Sequence, residues 1–137
     1  MQRIRGVELL FAVRKLVCLV ALLVVGSAHA ASPGKRVALV MGNAAYRGRS
    51  VGPLNSPALD AAEMGKKLQQ LGFEVEIAVN QDREGMVKAV HSFYKKLSGA
   101  EVALFFYSGH GVAVRGNSYL LPVSADPEDE DQVKYQA

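Results

Sequence analysis

Val102-Ala103-Leu104-Phe105-Phe106-Tyr107-Ser108-Gly109-His110-Gly111 (VALFFYSGHG, residues 102–111) is the stretch on which the fold turns. Six apolar residues without a polar interruption read as a strand, Val102–Tyr107, buried on both faces, as in a parallel sheet. The run stops at once in a glycine-flanked histidine. Glycines on both sides let the chain turn sharply and present the imidazole of His110 at the strand's carboxyl end. A second run of this kind, Val37–Met41 (VALVM), ends in Gly42-Asn43 and reads as another buried strand.

Between these runs the pattern alternates. Ser56-Pro57 predicts a helix start, with Ser56 as N-cap, Pro57 in the first helical position and Asp60 in the first turn. Ala61, Met64, Gly65, Leu68 and Leu71 follow at helical spacing, and Gly72 supplies the stop. Phe73–Val79 alternates, with Phe73, Val75, Ile77 and Val79 opposite Glu74 and Glu76, as expected of a half-exposed edge strand. Asp82 predicts the cap of a second helix with a stripe of Met86, Val90, Phe93 and Leu97, ending near Gly99. A return through Gly116-Asn117 leads to Tyr119–Pro122, and the acidic stretch Asp126–Asp131 closes the interpretable part.

Strand–helix–strand–helix–strand with short connections implies right-handed crossovers and a parallel sheet. The two apolar strands are expected to be central and the alternating one peripheral, in the order second, first, third. The chain then reverses direction between the first and third strands, and ligands bind outside the carboxyl ends at such a switch point. The loops 42–55 and 108–117 meet there.

The first thirty residues read as an address. Residues 1–15 are basic, Leu16–Val25 is apolar, and Ala28-His29-Ala30 is a small-residue cleavage site, so a signal peptide over 1–30 and a mature domain over 31–137 are expected. The apolar run is shorter than the roughly 20 residues of a membrane span. The protein is expected to be exported, periplasmic or secreted, with no stable membrane span after cleavage. Arg3, Arg5, Arg14 and Lys15 are four of the 16 basic residues and Glu8 is one of the 13 acidic ones, which leaves the mature chain balanced at twelve of each. Such a domain has no electrostatic footprint for nucleic acid. The sole cysteine, Cys18, lies in the leader, so the mature chain has no disulfide and no thiolate metal site.

Other candidates carry less. His91 reads as a surface helix residue. Gly42-Asn43 belongs to neither phosphate-loop pattern. Asp126, Glu128, Asp129, Glu130 and Asp131 lack the spacing of a calcium loop and read as a solvated segment. No metal site and no cofactor are expected. Arg47 and Arg49 stand in the first switch-point loop, where they can meet an acidic group.

KRVALVMGNAAY (35–46), LDAAEMGKKLQQLGFEV (59–75), VALFFYSGHG (102–111) and NSYLLPVSA (117–125) together resemble the caspase-like cysteine peptidases, in particular the bacterial caspase-domain proteins near metacaspases. The resemblance covers nearly all of the mature chain. It implies a three-layer α/β fold of the p20 type, with a mainly parallel sheet between helices, and cysteine-type endopeptidase activity on a polypeptide substrate. It matches His110 to the histidine that activates a cysteine sulfur, and Gly111 to the glycine whose N–H helps form the oxyanion hole. In the family the cysteine ends the next core strand, so the domain is expected to be incomplete at its C-terminus and inert alone, its nucleophile lying in a further part of the same protein. Pro53, Leu54 and Asn55 occupy the neighbourhood of the arginine that selects aspartate in caspases, so no cleavage preference is transferred. Two rival expectations remain: a non-catalytic caspase-like module that binds peptides or serves as a scaffold, and a generic α/β domain for small molecules.

Overall fold

The computed structural model describes residues 34–137; the expected signal peptide lies outside the described residues. Five strands and three helices follow in the order β1 (Arg36–Gly42), α1 (Pro57–Gln70), β2 (Glu74–Val79), α2 (Arg83–Lys96), β3 (Val102–Ser108), β4 (Gly111–Val114), β5 (Asn117–Leu120) and α3 (Glu130–Gln136). β1, β2 and β3 form a parallel sheet in the order β2-β1-β3, and β4 and β5 form an antiparallel hairpin. The sheet flanked by helices and its strand order agree with the sequence reading.

Val37–Met41 of β1 is continuously apolar because it is covered on both faces. Ala38 and Val40 point to one face, where they meet Ala61 and Leu68 of α1 with Phe73, Val75 and Leu104 around them. Leu39 and Met41 point to the other, against Ala78 and Ala89, Met86 and Phe93 of α2. Residues that alternate along a strand face opposite sides, so this single strand supplies the centre of both helix–sheet cores. Gly42 ends it for a packing reason: a Cβ there would strike the Pro57 carbonyl and Ala61 at the start of α1.

On β2, Val75 packs toward α1 and Ile77 lies over Gly65, as the alternation requires. Glu74 and Glu76 face α2 and pair with Lys96 at 3.3 and 3.2 Å, while Ser92 donates to Glu76 at 2.7 Å. The polar face of this edge strand is therefore tied to a helix.

Several local expectations are corrected. Ser56 has a helical backbone (φ −93, ψ −31) and makes no side-chain cap bond; its carbonyl instead accepts from Asp60 N–H at 2.9 Å. Asp82 does cap α2, accepting from Gly85 N–H at 2.8 Å. Leu71 has left the last turn of α1 and is 54% exposed. On α2 the buried position is Ala89; Val90, one residue or about 100° further round the helix, faces outward. β3 is not central among the described residues: β1 alone has a strand on each side, and Val102 and Phe105 of β3 are 41% and 47% exposed.

The acidic stretch and tail, in which no element was expected, form α3. Asp129 accepts from Gln132 N–H at 2.9 Å as its cap. Val133 of α3 joins a third core with Tyr46, Val51, Val114, Leu121 and Ala125. Among the described residues no helix is long and apolar enough to cross a membrane.

Candidate active site

The parallel order places the ends of β1 and β3 side by side, and the loops that leave them meet as expected. Asn43 N–H donates to Ser108 O at 2.9 Å, continuing the ladder one step past the strand. Ser108 Oγ donates to Asp60 Oδ2 at 2.9 Å, which ties the end of β3 to the first turn of α1. Asn43, fully buried, is a cross-brace and not part of a phosphate loop. Its Oδ1 accepts from Gln81 N–H at 2.9 Å, and its Nδ2 donates toward Gln81 O at 3.3 Å and Leu121 O at 3.2 Å. Asn80, at φ 52, adds its Oδ1 as acceptor for the N–H groups of Ala44 and Ala45 at 2.9 Å each.

His110 follows β3 directly and is half-buried. Its Nε2 lies 2.9 Å from the carbonyl oxygen of Gly52, in the loop after β1. A carbonyl only accepts, so this contact puts a proton on Nε2, and in the neutral ring the lone pair is then on Nδ1. An imidazole held in that tautomer is equipped to take a proton at Nδ1.

Gly111 opens β4 opposite Leu120, and Leu121 N–H donates to His110 O at 3.0 Å beside that pair. In an antiparallel ladder this makes Gly111–Leu120 a non-hydrogen-bonded pair, so the N–H of Gly111 points away from β5. The hairpin closes through Arg115 (φ 50) and Gly116 (φ 81), the doubly left-handed turn favoured by two-residue loops.

Residues that the spacing did not single out surround this histidine. Tyr46 and Tyr107 bring their hydroxyls to 3.0 Å from each other, and both reach the Leu121 carbonyl, at 3.1 and 2.8 Å. Tyr46 Oη accepts from His110 N–H at 2.8 Å, and Tyr107 Oη–H reaches His110 O at 3.0 Å. Burial, with the Tyr46 hydroxyl beside it, pushes the Tyr107 phenol well above its ordinary value, so it remains a neutral donor.

The remaining candidates disperse. Arg47 and Arg49 are exposed on the loop, and Arg47 is anchored there by its main chain, which donates to Val123 O at 3.2 Å. His91 is exposed on α2, as expected. It lines a surface groove of about 350 Å³ with Arg83, Met86, Val87, Val90 and Ala137, none of which belongs to the His110 network. The acidic residues have separate tasks: Asp126 accepts from Ser50 N–H at 2.7 Å and Ser50 Oγ at 2.6 Å, Asp129 caps α3, and Asp131 pairs with Arg115 at 3.3 Å. Among the described residues no three His, Cys, Asp or Glu side chains converge as metal ligands.

A parallel α/β domain with a histidine held by a main-chain carbonyl at its switch point is the class these observations define. The Caspase domain family model of peptidase family C14 matches residues 35–135, and the chain belongs to that family. It is also similar to human mucosa-associated lymphoid tissue lymphoma translocation protein 1, with 36% identity over 90 residues, which is 66% of this chain and 11% of that protein. The mouse homolog is 34% identical over the same shares. The chain thus spans a small part of the length of the curated relatives it matches.

Proposed function

We propose that residues 31–137 are the histidine-bearing, p20-type part of a cysteine endopeptidase that hydrolyses polypeptides, of metacaspase-like character. The observation that carries this reading is the Nε2 contact of His110 with the Gly52 carbonyl at the carboxyl edge of the sheet. His110 Nδ1 takes the proton of a cysteine thiol, and the sulfur adds to the scissile carbonyl carbon. The oxygen, now negative, faces the N–H of Gly111, a donor fixed before the charge develops. The imidazolium returns its proton to the amine nitrogen as the carbon–nitrogen bond breaks, and water hydrolyses the thioester. Residues 34–137 contain no cysteine, so the thiol comes from elsewhere in the natural protein. The leader pattern of residues 1–30 supports a mature protein that begins at Ala31 and lies outside the cytoplasm.

The test is peptide cleavage by the natural gene product with and without a thiol alkylating agent. Expected are alkylation-sensitive cleavage and a fall of kcat on the order of a thousandfold or more in His110→Ala. Cleavage that persists in His110→Ala overturns the assignment. The alternative reading is a caspase-like module that binds an extended peptide without turnover. Calorimetric binding of an extended peptide that stays intact would select it.

A further inference from the structure

We propose that Tyr46 is a positioning residue for His110, fixing the rotamer and tautomer of the imidazole through its hydroxyl and its ring; this rests on the reading of His110 as the base. Tyr46 is only 5% exposed, although it sits in a loop, and it touches the histidine in two ways. Its Oη accepts from the main-chain N–H of His110 at 2.8 Å. Its ring meets the imidazole edge-on, with centroids 4.7 Å apart and an interplanar angle of 68°. The third hold on the histidine is the Gly52 carbonyl, six residues further along the same loop.

Proton counting shows how the cluster closes. Tyr46 Oη has one proton, with Tyr107 Oη at 3.0 Å and Leu121 O at 3.1 Å to receive it. Tyr107 has one proton, for Leu121 O at 2.8 Å or His110 O at 3.0 Å. The N–H and C=O of His110 thus each face a tyrosine hydroxyl, and both hydroxyls are anchored on one buried carbonyl. Gly109 fits this clamp and nothing larger does: a Cβ there would stand 2.6 Å from the Tyr107 hydroxyl and 2.7 Å from that of Tyr46. The first glycine of the SGHG turn is therefore a clearance for the two hydroxyls as much as a hinge.

Removing the Tyr46 hydroxyl leaves the His110 N–H without its partner and loosens the main chain that carries the imidazole. The Nε2–H bond to Gly52 then no longer holds one tautomer. Nitrogen-15 NMR of the histidine rings in the full chain reads this directly, with His110→Ala assigning the resonance. The wild type is expected to show Nε2–H as the dominant tautomer. Tyr46→Phe, which keeps the ring, is expected to mix the tautomers and to speed Nε2–H exchange about tenfold. In the active gene product kcat should fall about tenfold with KM unchanged, because the hydroxyl touches no substrate. A folded Tyr46→Phe chain with the wild-type tautomer and exchange rate overturns the proposal.

If Tyr46→Phe fails to fold by circular dichroism, the wild-type ring decides: a dominant Nδ1–H tautomer, or an Nε2–H that exchanges as fast as that of the exposed His91, overturns the proposal. The two readings fail separately. Cleavage that ignores His110→Ala removes the peptidase assignment while the tautomer result stands, whereas an unmoved imidazole in Tyr46→Phe removes only the role of Tyr46.

Discussion

β1 and β3 contain almost the same words, VALVM and VALFF, and meet opposite surroundings. Val37 to Met41 are at most 1% exposed, with α1 on one face, α2 on the other and a strand along each edge. β3 has β1 along one edge, and its Val102 and Phe105 are 41% and 47% exposed. Apolar composition states that a strand suits cover on both faces, but its place in the sheet is decided by which neighbours the connections bring. The carboxyl ends of the two strands are alike again: both run into polar loops joined by the Asn43–Ser108 bond, and there the candidate site is built.

The largest effect that tests this difference is the loss of a core side chain. Leu39→Ala empties a position that is 0% exposed and is expected to cost about 3 kcal/mol, from lost transfer energy together with the cavity left behind. Phe105→Ala, although it removes more atoms, should cost about 1 kcal/mol because half of the ring is already in water. Urea unfolding of both variants measures the gap. Equal costs would break the comparison and show that the outer face of β3 is covered in solution.

A smaller contrast lies at the helix starts. Ser56 and Asp82 read alike as N-caps, but only the Asp82 side chain accepts a hydrogen bond from its helix. Asp82→Ala is expected to cost about 1 kcal/mol and Ser56→Ala a few tenths at most, roughly within the error of a melting experiment. A destabilisation by Ser56→Ala as large as that by Asp82→Ala would mean that its hydroxyl finds the helix in solution.

What was legible follows from local signals. The strand order came from the contrast between VALVM and FEVEIAV, because a period of two or its absence reports how many faces are covered. His110 could be placed at the switch point because a strand end and two glycines are adjacent to it in sequence. The third core was illegible for the opposite reason. Tyr46, Val51, Leu121 and Val133 are spread through loops and a short helix at no fixed period, and only tertiary packing unites them. The Gly52 carbonyl that holds His110 has no side chain to announce it. Tyr46 carries no local signal of its role, since its partners Tyr107, His110 and Leu121 stand 61, 64 and 75 positions away. Gly109 reads as a turn residue, and of the two hydroxyls it must clear, that of Tyr46 comes from a loop far away in sequence.

The smallest expected effect sharpens the comparison at the rim of the site, where the loop after β1 is fastened to the segment after β5. Asp126 holds that fastening by accepting from the N–H and Oγ of Ser50, and a Cβ on Gly48 would run into Ala125 O at 2.6 Å and Asp126 Oδ1 at 2.7 Å. The Ser50 donors lower the Asp126 pKa from 3.8 to about 2. A carboxyl whose folded pKa lies below its unfolded one stabilises the fold above the unfolded value, and that contribution disappears as pH falls through the folded value. The loop anchor is therefore expected to be complete above pH 3.8 and lost toward pH 2, a window well below any neutral working range. A melting-temperature series in acid should fall more steeply for the wild type than for Asp126→Asn across this interval, and the Ser50 amide shift should titrate with its midpoint near 2. A midpoint at the ordinary 3.8 would mean that the Ser50 bonds do not persist in solution. The loop carrying Tyr46 and Gly52 would then depend on its buried Tyr46 and Val51, the Asn80 bonds to Ala44 and Ala45, and the main-chain bonds of Arg47 and Leu54.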